Sequence, residues 1–226
     1  MSDPTQAKRR AGERAVELVR DGMAVGLGTG STAYWAVARL GARVREGLRV
    51  RCVPTSRRTE EQARALGIPL TTFADVRELD LTIDGADEIG PGLALIKGGG
   101  GALLREKLVA AASRRLVVVA DASKRVGALG RFPLPVEVVP FAWEVTARRV
   151  AAVTASAPAP RREAGELYVT DNGNYVLDCP CGEIDDPARL ERELKLLPGV
   201  VECGLFVGLA DLAFVADGDE VETIKG

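Results

Sequence analysis

Five short segments of the 226-residue chain combine glycine with acids, lysines or hydroxyl residues: GTGST (28–32), PTS (54–56), DGADE (84–88), KGGGG (97–101) and DASK (121–124). In the first, Gly28 and Gly30 let backbone approach a ligand, and the amides around Thr29, Gly30, Ser31 and Thr32 would open a helix. Unpaired N–H groups and the helix dipole favour phosphate there. A tight strand-to-helix turn, needing glycine only for shape, is the competing reading. Asp84 and Asp87, with Gly85 and Ala86 between them, suit acceptance of hydrogen bonds from sugar hydroxyls or binding of a hydrated Mg²⁺. An Asx-rich turn would need the same residue types, and Glu88 reads as solvated or structural.

The run LIKGGGGALLREK places Gly98, Gly99, Gly100 and Gly101 between an apolar strand and a helix. A flexible linker would carry serine or other polar residues and would not sit between two such elements. Successive glycine amides can instead form an anion-accepting nest, with Lys97 adding a positive charge. Glu106 follows, about 7.5 Å along the expected helix, close enough to reach back toward the strand end. A surface partner for Arg105 or Lys107 is its ordinary alternative. In DASK, Lys124 can bind phosphate and Asp121 can orient it or a substrate hydroxyl, or the segment is a capped turn with an exposed lysine.

Composition narrows the chemistry. The chain has no histidine, so catalysis by a histidine triad, histidine metal ligation and histidine proton shuttling are excluded. Net charge is -2, which supplies no bulk basic field for nucleic acid or an anionic membrane. Cys52, Cys179, Cys181 and Cys203 read as free thiols, and the CxC pair lacks the spacing of a zinc site. No apolar run is long enough to cross a bilayer and the N-terminus lacks the apolar core of a signal peptide, so a cytoplasmic protein is expected. Gly28–Ala33 also fits GxGxxA, but the second strand ends RCVPTS without the acid a dinucleotide ribose requires.

The elements that must hold these groups alternate. A first helix is capped by Asp3 with Pro4 at its first position. MAVGLG then forms a strand, AYWAVARL a helix ending at Gly41, LRVRCV a strand, and a helix capped by Thr59 stops at Gly67. LDLTID, LALI and RLVVVA are further short apolar strands, with a helix over 102–112. Such alternation predicts an open, mostly parallel α/β sheet with all five segments at the carboxyl ends of its strands. After the Gly- and Pro-rich stretch VGALGRFPLP the order becomes βαββαβ, a smaller ferredoxin-like α+β domain. Its hairpin turns at Asn172-Gly173, where two positive φ angles are expected. ADLAFVA reads as a strand returning to the first sheet, so the expected domains are 1–129 with 207–226, and an inserted 130–206.

Taken in order, GLGTGST, PTS, DGADE, KGGGGALLREK and DASK, with VTDNGN and LPGVVECGLF, resemble the ribose-5-phosphate isomerase A family over nearly the whole chain. The resemblance implies a Rossmann-like domain plus a smaller α+β domain, and interconversion of ribose 5-phosphate and ribulose 5-phosphate in the pentose phosphate pathway. No metal or organic cofactor is implied, and the expected assembly is a homodimer or a tetramer. By position Glu106 matches the family's catalytic base. Thr29–Thr32, Asp84–Asp87, Lys97–Gly100 and Lys124 match its substrate-contacting segments, with Lys97 assigned to the oxyanion and Lys124 to the phosphate. The alternative is a sugar-phosphate-sensing module without turnover; such a regulator would be expected to carry a DNA-binding module, and the chain opens directly on its first α/β helix.

Overall fold

A computed structural model describes residues 4–226. The elements are, in order, α1 (Pro4–Val16), β1 (Ala24–Leu27), α2 (Ala33–Arg45), β2 (Arg51–Pro54), α3 (Arg57–Ala65) and β3 (Leu81–Gly85). Next come β4 (Glu88–Ile89), β5 (Leu95–Ile96), α4 (Leu103–Ala111), β6 (Leu116–Asp121), β7 (Leu134–Val138), α5 (Trp143–Thr154) and β8 (Ala159–Pro160). The chain continues through β9 (Arg162–Glu163), β10 (Glu166–Leu167), β11 (Tyr175–Cys179), α6 (Pro187–Lys195), β12 (Val200–Cys203), β13 (Leu205–Phe206), β14 (Ala210–Asp217) and β15 (Glu220–Lys225). The proposed cap Asp3 lies outside the described residues.

Contacts divide the chain into two compact units. The first comprises the chain through Ala86, Arg105–Arg125 and Gly208–Gly226; the second comprises Asp87–Leu104 and Val126–Val207. Segment 87–104, expected with the large sheet, thus belongs to the second unit.

The first unit is built on a six-stranded sheet of order β15-β14-β6-β3-β1-β2. Strands β14, β6, β3, β1 and β2 run parallel, and β15 closes the edge antiparallel to β14. Each of β1 and β6 is buried throughout, as strands covered on both faces must be. Ala7, Ala11, Ala15 and Val19 of α1 and its following turn pack with Val37 and Leu40 of α2 in this core. The expected return of ADLAFVA is β14. Helix α2 does not stop at Gly41 but runs to Arg45, because Gly41 serves packing: a Cβ there would lie 2.8 Å from Leu66 Cβ. Helix α3 begins three residues earlier than the Thr59 cap predicts. Ser56 is its N-cap, accepting from Thr59 N at 3.1 Å, and Gln62 turns to Tyr34 O instead of closing a capping box.

The second unit holds a four-stranded antiparallel sheet of order β12-β7-β11-β8, with α5 and α6 in the two crossovers. This is the ferredoxin-like order. Leu134, Val136, Leu177, Val150, Leu194 and Leu205 form its core. The hairpin differs from the expected two-residue turn. Thr170 N donates to Asn174 O, Gly173 N donates to Thr170 O, and only Gly173 has positive φ (81°). That is the three-residue loop in which a single left-handed glycine ends the turn. Strand β5, expected in the parallel sheet, pairs antiparallel with β4 and β13 in a three-stranded sheet of its own. The glycine run therefore leaves a strand of the second unit.

Candidate active site

In the first unit, β1 and β3 bring Gly28 and Asp84 face to face. A Cβ on Gly28 would lie 2.2 Å from Asp84 Oδ1, so glycine is required for the carboxylate to occupy this place. Asp84 is 1% exposed, and its Oδ1 accepts from Thr29 N at 3.0 Å and Gly85 N at 2.7 Å. Burying a carboxylate costs several kcal/mol. Two amide bonds to a charged acceptor offset about 3–6 kcal/mol of that cost and fix the side chain in place.

Thr29, predicted to touch substrate, has its hydroxyl turned into a network that sequence reasoning missed. Thr29 Oγ1 lies 2.8 Å from Thr55 Oγ1, 2.7 Å from Ser56 Oγ and 3.1 Å from Thr59 Oγ1. Thr59 and Thr55 in turn donate to Gly28 O and Leu27 O. Four hydroxyls, from the ends of β1 and β2 and the first turn of α3, thus fix the loop backbone, and the Thr29 N–H is held by Asp84. The PTS segment was the available signal. Gly30 sits at φ 125°, and Ser31 is exposed. Thr32 precedes α2 and makes no side-chain cap bond, while Tyr34 N and Trp35 N in the first turn donate to Gly30 O and Thr32 O at 2.9 and 3.1 Å.

Glu106 is the fourth residue of α4, in its first turn, and is 3% exposed. Its burial takes it off the surface, where an exposed pair with Arg105 or Lys107 would lie. A negative charge there is favoured by the helix dipole. Asp121 caps the short turn at Ala122–Lys124, its Oδ1 accepting from Ser123 N at 3.1 Å and from the Ser123 hydroxyl; Lys124 is half-buried.

In the second unit, Lys97 N donates to Gly204 O at 2.8 Å, and its side chain is 2% exposed, with Nζ 5.4 Å from the Phe206 ring centroid. The glycine run is not an open nest. Gly99 N donates to Asp87 Oδ2 at 2.7 Å, and a Cβ on Gly99 would lie 2.5 Å from Asp87 Oδ1. Gly101 N closes a turn on Gly98 O at 2.9 Å, while Gly100 is exposed at the tip. Glu88 is buried and structural rather than solvated, accepting from Gly130 N at 2.7 Å and Phe132 N at 2.6 Å. Arg161, which no local motif marks, reaches the run from the segment between β8 and β9. It donates to Gly98 O and Gly99 O at 2.9 and 3.1 Å and pairs through two nitrogens with Asp178.

A mainly parallel sheet with buried carboxylates and hydroxyl-braced loops at its carboxyl edge defines a Rossmann-like α/β protein. The sequence model of ribose 5-phosphate isomerase A (phosphoriboisomerase A) matches residues 51–220. The chain is 56% identical over 223 residues to a ribose-5-phosphate isomerase A of Caulobacter vibrioides, covering 96% of this chain and 97% of that one. It superposes on ribose 5-phosphate isomerase A of Methanocaldococcus jannaschii with TM-score 0.94 at 40% identity, covering 99% and 100% of the two chains. A D-ribose-5-phosphate isomerase in complex with phospho-erythronic acid superposes with TM-score 0.95 at 33% identity, covering 99% and 100%. The chain belongs to the ribose 5-phosphate isomerase A family.

Proposed function

We propose that this protein interconverts ribose 5-phosphate and ribulose 5-phosphate, in the non-oxidative branch of the pentose phosphate pathway, without a metal or organic cofactor. The observation that carries the reading is the burial of Asp84, Lys97 and Glu106, at 1%, 2% and 3% exposure, in the segments that match the family's motifs. Charged side chains are seldom buried for stability alone, because each costs several kcal/mol to desolvate.

The reaction moves a proton between C2 and C1 of the open-chain sugar through an enediolate. It requires one base that takes and returns the proton, and a cationic or N–H-rich group for the developing oxyanion. Glu106 is the base, held by a rigid helix start. Lys97 neutralises the oxyanion, with the Gly98–Gly100 backbone beside it. Asp84 and Asp87 hold sugar hydroxyls and assist ring opening. The backbone of Thr29–Thr32 and Lys124 take the phosphate, with Asp121 ordering the Lys124 turn. The relative that binds phospho-erythronic acid supports a phosphorylated acyclic polyol as the ligand class.

The cytoplasmic homodimer expected from the family completes the reading; no helix among the described residues is long and apolar enough to cross a membrane. An isomerase assay with ribose 5-phosphate in the presence of a chelator tests the reading. Conversion is the expected result. Binding without conversion would make the protein a sensor of sugar phosphate instead.

A further inference from the structure

Arg161 and Asp87 meet the same peptide group. The carbonyl of Gly98 accepts from Arg161 Nη1 at 2.9 Å, and the N–H of that peptide, carried by Gly99, donates to Asp87 Oδ2 at 2.7 Å. A donor on the carbonyl oxygen polarises the amide and strengthens the bond its N–H makes, as hydrogen bonds in a chain do. The same Nη1 reaches Gly99 O at 3.1 Å, so two successive peptides are held in one orientation by a planar cation.

The guanidinium is itself fixed. Nε and Nη2 bind the two oxygens of Asp178 on β11, and the pair is 15% and 29% exposed. The face of Tyr168 lies 5.8 Å from the Arg161 Cζ, and the Tyr168 hydroxyl closes over Gly101, where a Cβ would come within 2.1 Å. Asp178, Tyr168 and Arg161 form one brace behind the glycine run, and every member belongs to the second unit.

We propose that Arg161 is a positioning residue for the isomerisation, acting on Asp87 through the Gly98–Gly99 peptide. The proposal rests on the functional reading above, in which Asp87 touches the sugar. Arg161 binds no substrate in this account, and no local signal in the sequence marks it. Lysine cannot replace it, since one ammonium cannot make a two-point contact with Asp178 while also serving both carbonyls.

The test is a double-mutant cycle of Arg161→Met and Asp87→Asn on the full chain, followed by turnover of ribose 5-phosphate, competitive inhibition by inorganic phosphate and thermal melting. Arg161→Met is expected to lower kcat about 10- to 100-fold, the scale of a misplaced reacting group, while the phosphate inhibition constant stays at the wild-type value. In the Asp87→Asn background the same substitution is expected to change kcat by less than about twofold, because its route of action is already gone. Arg161→Lys is expected to remain nearer to Arg161→Met than to wild type. Equal losses in the two backgrounds, or a loss confined to phosphate inhibition, would overturn the proposal. If Arg161→Met does not fold, Asp178→Asn, which frees one end of the guanidinium, enters the same cycle. Amide hydrogen exchange at Gly99 provides a readout independent of turnover: it is expected to speed up in Arg161→Met and in Asp87→Asn alike. Unchanged Gly99 exchange in Arg161→Met refutes the brace even if the wild type proves inactive, whereas an inactive wild type with accelerated exchange sinks only the functional reading.

Discussion

Replacing Gly99 by alanine puts a methyl group 2.5 Å from Oδ1 and 2.9 Å from Cγ and Oδ2 of Asp87. Gly99 is not among the glycines with positive φ, so alanine adds no left-handed strain to the backbone and the effect falls on the carboxylate. Asp87 must rotate away, and its 2.7 Å bond from Gly99 N is lost. A hydrogen bond to a charged group contributes about 1.5–3 kcal/mol. If Asp87 holds the sugar in the transition state, that loss lowers kcat/KM about 10- to 150-fold, at about 1.4 kcal/mol per decade. The side chain is half-buried and can swing toward solvent, so the melting temperature should fall only slightly. Gly127→Ala is the control: a Cβ there meets nothing within 4 Å, and wild-type kinetics are expected. Steady-state kinetics on ribose 5-phosphate, paired with thermal melts, make the measurement. Wild-type kcat/KM in Gly99→Ala would refute the role given to Asp87 and to the glycine that admits it.

Lys124→Ala is expected to raise KM several-fold with little change in kcat, as loss of a phosphate contact should; a fall in kcat alone would move Lys124 to the chemical step. Gly41→Ala gains about 1 kcal/mol of helix propensity but loses about 1–3 kcal/mol to overpacking against Leu66, so its urea midpoint should fall while activity is kept. Burial pushes the Cys52 thiol up to about 12 from 9.0. The folded state then holds this proton more tightly than the unfolded chain, so the associated stability is intact below pH 9.0 and is lost as pH rises toward 12. Urea midpoints of wild type and Cys52→Ala should therefore converge or cross between pH 8 and pH 11, and a constant difference would contradict it. Burial also raises Cys179, whereas Cys181 is less enclosed and its upward shift is opposed by a bond to Ser156. A thiol reagent at pH 8 should label native protein at Cys181 first.

Much of the first unit is legible in the sequence because each strand is a short apolar run ended by a glycine- or hydroxyl-rich turn, a pattern made by local physics. The close approach of Gly28 to Asp84 and the place of Glu106 in the first turn of a helix follow from this pattern. What the pattern cannot carry is partnership. LALI reads as another strand of the parallel sheet, yet Leu95 and Ile96 pair with β4 and β13, since nothing in two apolar residues encodes which edge they join. Gly41 looks like a helix stop because its role, contact with Leu66, is a tertiary one. β15 escapes notice for a related reason: its pattern of exposed Glu220, Glu222 and Thr223 is that of a solvent-facing edge strand and lacks an apolar run. Arg161 lies 62 residues from Gly99 in the chain, and among the many arginines only the fold singles it out.

The central claim, a buried carboxylate acting as the proton carrier of an aldose–ketose isomerisation, is tested most directly by Glu106→Gln. The substitution keeps shape and burial but removes the base. Wild type should convert ribose 5-phosphate in chelator, and the variant should fold, bind substrate with KM near the wild-type value, and turn over about 10²–10⁴ times more slowly. Near-normal kcat in Glu106→Gln, or a wild-type chain that binds the sugar phosphate without converting it, would contradict the account.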